Sequence, residues 1–133
     1  RAVRAAYSSA SRYVIGAIGP CVRAPHEPNA TSRAAWREQA TRLKWGGVHG
    51  FLLRGMRRVD EAASCVECVR QVSERPVICL FDCDASGLLA DGSPLADGLA
   101  RVAEAGVTAI GCGEGSTVRH TAAVAGVLTG LER

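Results

Sequence analysis

Six cysteines carry most of the chemistry open to this chain: Cys21, Cys65, Cys68, Cys79, Cys83 and Cys112. Thiolates ligate zinc, attack electrophiles and form disulfides, and spacing separates these uses. Cys65 and Cys68 form a C-x-x-C. A zinc site would want a second pair or nearby histidines, and a redox motif would want a strand-to-helix entry. Here the pair falls within a helical pattern, beside Ala63 and Val69, which favours core packing. Cys79 lies inside an apolar run and belongs in the core by the same reasoning. Cys21, Cys83 and Cys112 each stand at or just past the end of such a run. If those runs are adjacent strands, the three thiols could converge on a metal ion, although their spacing alone is thin support for that.

Asp82, Asp84 and Asp91 follow the run that contains Cys79. Carboxylates there could bind a cation or act as a base, but loop solvation and helix capping explain them better. Gly111–Ser116 is glycine-rich and could cradle a phosphate at a helix N-terminus. The G-x-G-x-x-G pattern fails at its last glycine, no Lys follows, and Glu114 would repel an anion, so a tight turn is the better reading. His26, His49 and His120 show no metal-ligand spacing; His26, in a loop, is the one to watch. Trp36 and Trp45, on one helix, are expected to anchor it to its neighbours.

The elements that would position these residues follow from periodicity. The chain has 133 residues, 47% of them hydrophobic and 22% charged, enough for one domain with a packed core. The formal net charge is only +3 and aromatics make up 5%, which argues against nucleic acid as a partner. No apolar run approaches the roughly 18 residues a membrane helix needs. Lys44 is the only lysine among sixteen basic residues, a compositional bias with no functional weight. An even number of cysteines in a chain able to build its own core reads as reduced thiols and a cytoplasmic location.

Tyr13–Ile18, Val48–Leu53, Pro76–Phe81 and Val107–Cys112 read as strands. The run Pro76–Phe81 is continuously apolar, as for a strand covered on both faces. Between and after them come helical patterns. The first is capped by Thr31 or Ser32 and ends at Gly46-Gly47. The second runs from about Asp60 to Val72, the third from Pro94 to Ala105, and the last over Thr117–Leu131. The first ten residues resemble the tail of a preceding helix. Repeated βα units demand parallel strands with right-handed crossovers. An open doubly wound sheet or part of an eight-fold barrel remains possible, and a full barrel takes roughly 250 residues.

The ordered set of motifs resembles the homocysteine S-methyltransferase family. Gly16-Ala17-Ile18-Gly19-Pro20 is similar to that family's G-S-I-G-P strand end. Glu38-Gln39-Ala40, Leu43 and Gly46-Gly47-Val48 resemble its E-Q-A…L…G-G-V-D helix and turn. Phe51-Leu52-Leu53, Met56 and Glu61-Ala62 follow its next strand and helix start. Pro76-Val77, Phe81 and Asp84…Gly87-Leu88-Leu89…Asp91-Gly92-Ser93-Pro94 resemble its P-V…S-F…D-G-x-L-x-D-G-T segment. Gly106…Ala109-Ile110-Gly111 resembles the strand leading to its first metal-ligand cysteine.

The resemblance implies an α/β fold of parallel βα repeats, about four strands forming half of a (β/α)8 TIM barrel in one domain over residues 1–133. It also implies S-methyl transfer to a thiol. In intact members, zinc held by three cysteines presents homocysteine sulfur as the thiolate. The methyl donor is S-methylmethionine, betaine, S-adenosylmethionine or a methyl-corrinoid, depending on the member.

The departures are as informative. Where the family has E-T, with the Glu binding the substrate amine, this chain has Arg54-Gly55. The family's G-L-N-C ligand position falls on Glu114 without gaps, or on Cys112 with a two-residue shift. No adjacent Cys pair matches the family's G-G-C-C segment. The expectation is a methyltransferase-like domain whose catalysis is incomplete in this chain alone, with no cofactor of its own. A non-catalytic partner subunit and an open-sheet small-ligand domain are the alternatives. A second copy, or another chain completing the barrel, is the expected partner.

Overall fold

The structure, a computed structural model, describes residues 12–21, 28–114 and 117–131. Its strands are β1 (Ile15–Ile18), β2 (Gly50–Met56), β3 (Val77–Phe81) and β4 (Ala109–Cys112). Its helices are α1 (Ala30–Trp45), α2 (Val59–Val72), α3 (Leu95–Glu104) and α4 (Val118–Leu131). All strand pairings are parallel and the order is β1-β2-β3-β4. Sequential order with right-handed crossovers puts every helix on one face of the sheet. The expected helical tail over the first ten residues lies outside the described residues.

Helix α1 starts one residue earlier than its expected cap. Asn29 is the N-cap: its side chain accepts from Ser32 N at 3.0 Å, and Ser32 Oγ accepts from Asn29 N at 2.9 Å. Ser32 thus belongs to the capping box, as its third residue. Helix α2 gains its first-turn partner from far along the chain, where Asp91 accepts from Val59 N at 2.9 Å. Burial alone would raise the Asp91 pKa, yet the Val59 and Ser93 amides hold it below the usual carboxylate range. Glu67 accepts from Arg33 at 2.9 Å and Arg101 at 3.3 Å, tying α1, α2 and α3 together.

The core lies between the sheet and these helices. Ile18, Phe51, Leu53, Val77, Cys79 and Phe81 face the helices and are fully buried, as are Trp36, Cys65, Cys68 and Val69. The C-x-x-C pair is therefore core, as its helical position implied. Trp36 is an anchor, its indole N–H donating to Gly19 O at 3.2 Å. Trp45 is not: 80% of it is exposed, a correction to the expectation of two anchors. At about 100° per residue, nine steps along a helix carry a side chain to the opposite face.

Strand β3 also departs from expectation. Its burial alternates, with Val77, Cys79 and Phe81 covered and Ile78 and Leu80 only half-buried. The same alternation marks β1, where Gly16 and Ile18 are buried and Ile15 and Ala17 exposed. Among the described residues only one face of the sheet carries helices, so a run apolar at every position is covered there on one side.

Candidate functional site

The C-terminal ends of β2, β3 and β4 meet at one rim. Beyond Leu53↔Cys79 the pairing of β2 and β3 resumes only at Met56↔Phe81, so β2 carries one extra residue at Arg54-Gly55. Gly55 has φ +73°, which a glycine adopts without strain, and this bulge aims Arg54 across the rim. Arg54 Nη2 meets Glu114 Oε1 at 3.2 Å. The side chains are 58% and 89% exposed, so the pair sets geometry more than stability. It joins the two positions where the resemblance expects an amine-binding Glu and, in the ungapped alignment, a metal-ligand Cys.

Asp82 lies between these partners. A Cβ added at Gly113 would collide with the Asp82 carboxylate, and one at Gly55 would lie 3.9 Å from Asp82 Oδ2. The carboxylate is thus seated against two residues without side chains. It lines two adjoining cavities together with Glu114. One, of about 540 Å³, is completed by Arg57, Cys83, Asp84 and Leu88–Ala90. The other, of about 350 Å³, is also lined by Cys112 and reaches the uncovered sheet face through Leu52, Arg54 and Leu80. Arg54 and Arg57 supply positive charge here, and Asp82, Asp84 and Glu114 negative charge. A rim of this kind suits a polar ligand carrying both signs.

The other residues singled out in the sequence have structural work. Asp84 Oδ1 accepts from Ser86 N and Leu88 N at 2.8 and 3.0 Å, closing the loop after β3. Asp91 Oδ1 accepts from Ser93 N at 2.9 Å. His120 is buried at the start of α4, its Nδ1 accepting from Thr117 N at 3.0 Å. His49 Nδ1 accepts from Val14 N at 2.9 Å, and its ring stacks edge-on against Tyr13. His26, Gly115 and Ser116 lie outside the described residues. The sequence signal that could have revealed the bulge was a glycine inside a strand pattern.

The three thiols do not converge. Cys21 receives the Gln39 side-chain amide at 3.4 Å and packs towards α1. Cys83, just past β3, and Cys112, the last residue of β4, sit together, and burial, then Cys112, push the Cys83 thiol up. Among the described residues no three His, Cys, Asp or Glu side chains are grouped to hold a metal ion. Glu114 is engaged with a cation. The residues present here do not fit a three-thiolate zinc centre.

Comparison with known proteins gives a consistent picture. The homocysteine S-methyltransferase family model matches residues 1–124. No curated protein sequence matches. Among solved structures, the apo homocysteine methyltransferase MmuM of Escherichia coli aligns with a TM-score of 0.69 at 22% identity. The alignment covers 98% of this chain and 49% of that one, so this chain spans about half its length. The carboxyl transferase domain of Rhizobium etli pyruvate carboxylase aligns at 0.54 and 20% identity, over 74% of this chain and 16% of that one. At these identities the likenesses speak to the fold.

Proposed function

This chain belongs to the homocysteine S-methyltransferase family, and from that premise we propose that it supplies a framework half-barrel whose own rim does not complete thiol methylation. In the family's reaction the acceptor thiolate attacks the donor's methyl carbon. A sulfur–carbon bond forms, and the bond from methyl to donor breaks with its electron pair. Such chemistry needs the acceptor sulfur deprotonated and the amino acid held by its ammonium group.

The observation that carries the proposal is the Arg54–Glu114 pair. A guanidinium at the family's amine-binding position repels an ammonium group. A carboxylate bound to that guanidinium is a poor stand-in for a free thiolate ligand. One substitution accommodates the other, and together they occupy the rim where substrate and metal would meet.

Two measurements test this. Chelator-washed protein is expected to hold no stoichiometric zinc at micromolar metal by elemental analysis, and one tightly bound zinc per chain would overturn the proposal. Calorimetry is expected to show no heat of homocysteine binding. Arg54→Glu should leave that unchanged, because removing the cation restores neither a thiol nor a ligand set. Binding by this variant would show that a single charge separates the rim from a working site.

A further inference from the structure

Helices in a βα repeat run back along the sheet, so the C-termini of α1 and α2 lie at the end opposite the rim. An open groove of about 670 Å³ there is lined by Lys44, Arg70, Gln71, Glu74 and Arg75 among others. Arg37, two turns before Lys44 on α1, donates to Gln71 Oε1 at 3.4 Å and continues the row of cations. Lys44 Nζ donates to Val72 O at 2.8 Å. Arg70 donates to Gly106 O and Arg75 O, and Arg75 donates to Val48 O. All these acceptors are neutral. Among the described residues none of the four cations belongs to an ion pair.

Trp45 stands beside Lys44, half a turn round α1 from Trp36, and so faces away from the sheet and is largely exposed. Further βα units beside β1 or β4 would extend the sheet sideways and leave this outer side of α1 and α2 open.

We propose that this groove docks an acidic segment of a partner protein, with Trp45 as its apolar anchor. Four cations against Glu74 give a formal charge of +3, equal to the net charge of the whole chain. The remainder of the chain is therefore balanced, and the positive field is concentrated here. The C-terminal dipoles of α1 and α2 offset about half a charge each, which leaves the groove positive. Guanidinium forks match carboxylates. The backbone anchors hold the cations in place before any partner arrives, which lowers the ordering cost of binding. Aromatic and Arg side chains are enriched at protein interfaces, and an indole beside these cations has that composition. One indole makes no platform for successive bases, which favours a peptide over a nucleic acid. The groove is remote from Arg54 and Glu114, so the inference stands apart from the reading of the rim.

Fluorescence anisotropy of a labelled peptide, a run of glutamates with a central leucine, tests this by titration with the purified chain. Saturable binding is expected at low ionic strength, weakening about fivefold between about 0.05 and 0.3 M salt. Lys44→Glu should weaken binding about tenfold, and Trp45→Ala about threefold. Arg42→Glu makes the same change in net charge on the flank of α1 that holds Glu38, and should leave affinity within about twofold. All three side chains are exposed, so helical circular dichroism is expected to stay unchanged. Absence of saturable binding at low salt overturns the proposal. So does equal weakening by Lys44→Glu and Arg42→Glu, which would mean attraction to net charge alone. Tighter binding of single-stranded DNA or of anionic phospholipid vesicles at matched salt also overturns it, because the groove would then select phosphate over carboxylate.

Discussion

Replacing Trp36 with alanine is expected to cost about 3–5 kcal/mol of stability, much of what a domain this size has to lose. The indole is fully buried between α1 and the sheet, and its N–H donates to Gly19 O at the end of β1. Truncation removes a large apolar surface, leaves a cavity and strips the carbonyl of its donor. Trp36→Phe separates these effects. It keeps most of the burial and loses the hydrogen bond, for an expected cost of about 1 kcal/mol in place of the larger loss. Trp45→Ala is the comparator, expected within about 0.5 kcal/mol of the unaltered chain because that ring is exposed. Urea unfolding followed by circular dichroism, at one fixed chain concentration, gives all three values. A Trp36→Ala loss below about 1 kcal/mol would mean that α1 is not docked through this ring.

Alkaline pH should destabilise the protein steeply, and the buried thiols give the sign. Burial pushes Cys79 up from an ordinary value near 9 to about 12, and burial also pushes Cys65 up. In the unfolded chain both ionise near their ordinary values, so above about pH 9 the unfolded state holds fewer protons. Their contribution is complete below pH 9 and is lost as pH rises towards the folded values. Each thiol costs about 1.4 kcal/mol per pH unit in that window, so the two together cost about 3. Urea midpoints at pH 8, 9.5 and 10.5 are the measurement. The Cys65→Ala/Cys79→Ala double variant should start less stable but lose most of the slope. An equal slope in both proteins would place the alkaline sensitivity elsewhere.

The fold was legible because a parallel βα repeat writes each unit twice, once as a short apolar run and once as an amphipathic stretch. Strand centres therefore fell where the sequence put them, while boundaries moved by a few residues, as with β2 beginning at Gly50 and not Val48. Asn29 was hidden by neighbours that also cap helices, Ser32 of equal and Thr31 of slightly lower propensity. The half-covered state of β3 could not be read, because Val77–Phe81 is apolar on both faces and composition does not say which face has a lid. The rim was legible as a location, since ligand sites of this fold class gather at strand C-termini. The contact that defines it was not. Arg54 and Glu114 are separated by 60 positions and meet only through a bulge and two parallel pairings.

The strand order also bears on how the chain is made. No strand waits for a later segment to be slotted between it and its neighbour. During synthesis from the N-terminus, each new βα unit emerges beside a partner that already exists, and can zip onto it as it leaves the ribosome. Each addition closes a loop of only about thirty residues, and closure entropy rises slowly with such lengths. Growth is thus vectorial, like laying planks from one side of a hull.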